Sequence, residues 1–163
     1  MKKTLAILLI GSALSLAAQD IRPGVQGALS FPANDLSDNA SVGLQLGGHA
    51  RMDLRGGNGL IGRVDLTFYG QNNSISVNDL AVAVDYTYHV ERRQQGFYVL
   101  AGLSQQNFHT SFPGSSRNDN GLGIDLGAGY DLDRHLGLQA RYTSNSFTDL
   151  TYSALNLGVT YTF

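Results

Sequence analysis

The 163-residue chain has no cysteine and no tryptophan, lysine only at positions 2 and 3, and one glutamate, Glu91. Each absence removes a class of protein. Without cysteine there is no disulfide framework and no thiolate metal site. A soluble domain normally carries a lysine- and glutamate-rich surface, and this chain has almost none. Nucleic-acid binding needs a basic face. Beyond Lys3 the chain sets nine arginines against 13 acidic residues, a net charge of 9 − 13 = −4. After the first 18 residues no segment is long and apolar enough for a spanning helix, which takes about 20 residues.

The amino terminus reads Met1-Lys2-Lys3, Thr4, an apolar run from Leu5 to Leu16, then Ala17-Ala18. Two charges, a short apolar run and small residues are the three parts of a secretory signal peptide. Cleavage is expected after Ala17 or Ala18.

The carboxyl terminus is more informative. Leu155, Leu157, Val159, Tyr161 and Phe163 share one parity, and Asn156, Gly158, Thr160 and Thr162 share the other. A period of two is the side-chain period of a strand. Seven more segments alternate in the same way, at about 22–31, 40–54, 60–69, 80–90, 97–108, 121–130 and 136–143. In the second, Val42, Leu44 and Leu46 oppose Gln45, His49, Arg51 and Asp53 without one charge straying across. The fifth, Phe97-Tyr-Val-Leu-Ala-Gly-Leu103, is apolar on both parities, so its facing is open. The connections at 55–59, 91–96 and 131–135 are short. Those at 32–39, 70–79, 109–120 and 144–150 are longer and carry Asn, Ser, Asp and Pro.

An even number of strands with short turns on one rim and longer loops on the other fits an outer-membrane barrel. A soluble lipocalin-like barrel also alternates, with its apolar face inside. Three features favour the lipid-facing arrangement. Gly43, Gly47, Gly123, Gly127 and Gly129 crowd the polar face, which suits a narrow interior. The charges on that face come in both signs and include no lysine. Tyrosines gather toward strand ends, as interface girdles do. The expected fold is therefore all-β: an eight-stranded antiparallel up-and-down transmembrane β-barrel at 19–163, preceded by a cleaved signal peptide at 1–18.

The terminal Leu157-Gly158-Val159-Thr160-Tyr161-Thr162-Phe163, with Gly137-Leu-Gln-Ala-Arg-Tyr142 before it, resembles the last strands of the small OmpA/OmpX-like outer-membrane barrels. The resemblance covers the whole mature chain. It implies a monomer in outer-membrane lipid with both termini periplasmic. It also implies an assembly signal at Leu157, Gly158, Val159, Tyr161 and Phe163, read by the barrel-assembly machinery. It is nearly silent about activity, since one fold hosts many functions.

Chemistry has few places to reside. Arg51, Asp53, Arg63, Asp65, Asp85, Asp125 and Arg141 are expected to face inward and pair, because an unpaired buried charge is very costly. The same set could line a narrow gated pore, although eight strands leave little room for a water column. Arg141-Tyr-Thr-Ser-Asn-Ser146 resembles the His-x-Ser-Asn segment of outer-membrane lipid A deacylases. Tyr142 replaces the histidine, so Ser144 lacks a general base. His109-Thr-Ser111 is a second His-x-Ser at an outer rim. Asp35, Asp38, Asp79 and Asp119 are expected to be solvated loop groups, and no loop has calcium-ligand spacing. No cofactor or metal is expected. Function is expected in envelope structure or in surface contacts of the outer loops, where Phe112, Pro113 and Phe147 offer apolar contact to an unidentified extracellular ligand. A lipid-modifying hydrolase is the more distant alternative.

Overall fold

The computed structural model describes residues 21–38, 40–71, 76–91, 95–112, 114–146 and 151–163. Residues 1–18, where the signal peptide is expected, lie outside these, as do Asn72, Asn73, Pro113, Phe147 and Asp149. Eight strands follow one another: β1 (Ile21–Asn34), β2 (Ala40–Asp53), β3 (Asn58–Gln71), β4 (Ser76–His89), β5 (Gly96–Phe112), β6 (Ser115–Asp131), β7 (Leu136–Ser146) and β8 (Thr151–Thr162). Each pairs antiparallel with its chain neighbour, and β8 pairs with β1, so the sheet closes on itself. Closure leaves no unpaired edge.

The period-two pattern becomes a two-sided wall. Leu29 of β1 lies opposite Leu44 of β2 and Leu157 of β8, and such residues form an outward apolar belt in which Val64, Leu66, Val82, Val84, Ile124 and Leu126 are all about half exposed. Aromatic residues edge the belt. Tyr86, Phe97, Tyr130, Tyr161 and Phe163 stand outward near the short-turn rim, and Phe31, Phe68 and Tyr142 toward the long-loop rim. An outward apolar band with aromatic girdles is what a bilayer requires of a barrel. Arginines, aspartates, Gln45, Thr67 and Thr143 fill the inside.

Three expectations change. Tyr98 and Leu100 are buried, while Phe97, Val99 and Leu103 face out, which fixes the facing of β5. The span 109–120 is a continuous β5–β6 hairpin, paired out to Phe112 opposite Ser115 and turned at Gly114, whose φ of 87° suits glycine. Its residues are polar on both faces because it extends past the apolar belt, so no alternation marks it as strand. Asp79 is no loop group: it lies within β4, opposite Thr67, and is 5% exposed inside the barrel.

The interior is not polar throughout. Leu36, Ala40, Tyr69, Val77, Phe108, Tyr152 and Ala154 form one buried apolar cluster at the long-loop mouth. Phe108 and Tyr152 meet edge to face at 5.0 Å.

Candidate functional site

Mid-barrel, β3 carries Arg63 and Asp65 on one inward face. β4 brings Asp85 and β6 brings Asp125 to the same point. Arg63 Nε donates to Asp85 Oδ2 at 2.8 Å, and its two other nitrogens reach Asp65 and Asp125. One guanidinium thus serves three carboxylates. Arg141 of β7, 2% exposed, donates to Gln45 Oε1 at 2.9 Å, to Gln139 Oε1 at 2.8 Å and to Asp65 at 3.3 Å. Thr143 Oγ1 donates to Asp125 Oδ1 at 2.5 Å. The inward glycines make this possible. A Cβ at Gly47 would land on the Asp65 carboxylate, and one at Gly102 on that of Asp85. A buried charge cluster holds only when its members are paired and hydrogen-bonded.

Toward the short-turn rim a second cluster forms. Arg51 reaches Asp131 at 2.7 Å and Asp53 at 3.0 Å, and Arg22 pairs with Asp53. Arg51 Nη2 donates to His89 Nε2 at 3.0 Å, leaving His89 Nδ1 to face the Gly57 carbonyl at 3.3 Å. The Asp131 carboxylate lies 2.9 Å from the same His89 Nε2, a contact that becomes an ion pair only if that nitrogen carries a proton. His89 packs on Tyr98 at 5.1 Å between ring centroids, and the Arg51 guanidinium lies 5.9 Å from the Tyr98 ring.

All seven expected charges therefore join one of the two clusters. Asp131 and Arg22 were missing from the expectation. Asp131 ends β6, and the inward parity Gly123, Asp125, Gly127, Gly129 runs straight on to it, so the signal was present. The terminal strand places Leu157, Val159, Tyr161 and Phe163 outward, while Gly158 faces in, where a Cβ would meet the Gly27 carbonyl. Tyr161 stacks on His135 at 5.8 Å and meets Phe163 edge to face at 5.4 Å. Phe163 N donates to Pro23 O at 2.8 Å, joining the last residue to β1.

Neither His-x-Ser segment resolves into a substrate site. Asn145 is fully buried against Gln106, Ser144 receives a bond from Ser153 Oγ at 3.0 Å, and Tyr142 points outward. His109 sits outward on the hairpin, 3.2 Å from Ser111 Oγ and 2.6 Å from Asn118 Oδ1. An i, i+2 pair on a strand shares a face whatever its chemistry, and this trio lines none of the cavities found inside the barrel. Asp35 accepts from the Thr151 amide at 2.6 Å, and Asp119 pairs with Arg117 at 2.8 Å. Among the described residues no three His, Asp or Glu gather as metal ligands.

The interior cavities are small. Small voids of about 10 Å³ each lie along the axis, among them one by Gln26, Arg141 and Asn156, one by His49, Arg63 and Tyr98, and one beneath the apolar cluster by Asp79 and Asn156. Each has room for roughly one water molecule.

A closed eight-stranded barrel with an apolar belt outside and charges inside is a small transmembrane β-barrel. The chain belongs to the outer membrane protein beta-barrel domain family, which it matches over residues 4–163. No curated protein matches it. Among solved structures it is similar to Ail of Yersinia pestis, at 18% identity and a TM-score of 0.60 over 88% of this chain and 97% of that one. It is also similar to neisserial surface protein A, at 20% identity and 0.56 over 88% and 97%. The N-terminal barrel of Pseudomonas aeruginosa OprF aligns at 18% identity and 0.55 over 88% and 100%. At these identities the likeness is one of fold.

Proposed function

We propose that this chain is a monomeric, non-enzymatic outer-membrane barrel that serves envelope structure or surface contact through its long-loop rim. Its interior is closed to ion flow, and its termini and short turns face the periplasm. The observation that carries this reading is the Arg63 cluster beneath the apolar mouth. A guanidinium holding three carboxylates, under a lid of Phe108, Tyr152 and Leu36, leaves single-water voids where a pore needs a continuous column. The barrel-assembly machinery would take hold of the chain at Leu157–Phe163.

The surface role draws on the rim's own charges. Ail is an attachment invasion locus protein whose structure is known with the heparin analogue sucrose octasulfate. Here Asp119 pairs with Arg117, and Asp35 and Asp38 lie on the same rim. That balance fits a neutral or cationic ligand better than a sulfated anion.

Planar-bilayer recording tests the closed interior. Purified barrel should shift its gel migration on heating, as folded outer-membrane barrels do, and give no steady conductance. Reproducible single-channel steps that change on Arg141→Ala would establish a narrow pore instead. Recovery of the protein from the soluble periplasm would defeat the reading altogether.

A further inference from the structure

The charges inside this barrel do not balance. Arg22, Arg51, Arg63 and Arg141 supply four cations. Asp53, Asp65, Asp85, Asp125 and Asp131 are their ion-pair partners within 4 Å, and Asp79 is a sixth inward carboxylate with no ion-pair partner among the described residues. Carboxylates outnumber the cations, and Asp79 is the one that no arginine reaches. A buried charge without compensation is one of the most costly features a fold can carry.

Asp79 is the place where the excess has room to be met. The Asn107 amide donates to its carboxylate, while Oδ1 has no partner. It lines the void of about 10 Å³ under the apolar mouth. Asn156 Oδ1, also without a partner and on a side chain 5% exposed, lines the same void. Thr67, Thr143 and Gln45 complete a wall of oxygen-bearing side chains. Oxygen donors of this kind suit hard cations. The free carboxylate is single and the other donors are neutral, which matches one positive charge. A calcium site would need more anionic ligands than this. Leu36, Tyr69, Phe108 and Tyr152 close the void from above, so an occupant would be shielded from the outside solution.

We propose that the void beneath the apolar mouth is a binding site for one sodium-sized monovalent cation, held by Asp79 with Asn156 as its second ligand. The ion would be a structural counter-charge, enclosed as the mouth packs. This goes beyond the closed-barrel reading and does not depend on it. Channel steps in a bilayer would overturn that reading and leave this site standing.

The test uses the whole folded barrel in detergent. Its unfolding midpoint is followed by the heat-induced gel shift, in sodium chloride against N-methylglucamine chloride at equal ionic strength. The midpoint should rise with sodium and saturate, by roughly 5–10 °C at about a hundredfold excess over Kd. Asp79→Asn keeps the shape and an acceptor for the Asn107 amide. It should remove the sodium dependence while folding as well as the wild type does in N-methylglucamine. A direct readout covers the case in which the variant fails to fold: wild-type barrel refolded and crystallised in a thallium(I) salt should show an anomalous peak beside Asp79 Oδ1. Equal midpoints in the two salts and an empty anomalous map would overturn the proposal and leave the void to water. A midpoint that follows pH but not sodium would overturn it too, since a proton on Asp79 would then be the counter-charge.

Discussion

The mouth and the middle of this barrel are lined by the same inward parity and closed by opposite means. At the mouth, Leu36, Tyr69, Val77, Phe108 and Tyr152 fill the bore by apolar packing. In the middle, Arg63 fills it by holding Asp65, Asp85 and Asp125. Packing is graded: each apolar side chain contributes according to the area it covers, and the loss of one costs its own burial and the cavity it leaves without stranding a charge. A charge cluster is conditional, because its members are acceptable only while all are present. The bore is therefore divided between a part that degrades by increments and a part that fails as a unit.

The largest test of this contrast is Arg63→Leu. It leaves the buried Asp85 and Asp125 without a cation and Asp65 with Arg141 alone, and breaking a buried ion pair costs about 3–5 kcal/mol even when only one partner is left behind. The barrel should fail to show the heat-induced gel shift after refolding. Adding Asp85→Asn and Asp125→Asn to Arg63→Leu, with Asp65 kept as the counter-charge of Arg141, should restore most of the folded fraction, since the charges then left in the middle are a pair. If Arg63→Leu alone folds normally, the middle is no conditional unit and the contrast is wrong.

A smaller loss is expected at the mouth. Phe108 is fully buried, and Phe108→Ala should cost about 3 kcal/mol through lost contact and the cavity left behind. The barrel should still fold, with a lower urea midpoint. Phe108→Leu should recover more than half of the loss, because shape and area decide here and chemistry does not. A Phe108→Ala variant as damaged as Arg63→Leu would show the two regions to be one cooperative core.

What could be read from the chain follows the same division. Where lipid lies on one side and charge on the other, alternation is unbroken, and the eight strands, their order and the seven inward charges were legible. Where the two sides are alike the pattern vanishes. Tyr98 and Leu100 face in, Tyr98 against Arg51 and His89, yet look like the outward Phe97 and Val99, so β5 carries no facing signal. The tip of the β5–β6 hairpin is polar on both faces, so its residues read as loop. Asp79 stood one residue before the segment that begins at Leu80, and extending that parity backward would have found it. The apolar mouth is formed by residues far apart in the chain, among them Leu36, Val77 and Tyr152, and only closure of the sheet brings them together.

The smallest effect belongs to a charge outside both regions. Asp133, exposed in the β6–β7 turn, accepts from the His135 and Leu136 amides at 2.7 and 2.8 Å. Those two backbone hydrogen bonds hold its carboxyl below the ordinary carboxylate range. A lowered folded-state value means that the ionised form is favoured on folding, so its support is present above the unfolded-state value and fades as the pH falls through the folded one. Amide signals of His135 and Leu136 should therefore shift on the acid side, with a midpoint below that of a free aspartate. In Asp133→Asn the shift should disappear, while the gel migration stays unchanged. A midpoint at or above the ordinary value would mean that the turn takes nothing from the charge. Unlike Arg63, Asp133 has water to solvate whatever it loses, which is why the same kind of group can be removed here at little cost and in the middle of the barrel only together with its partners.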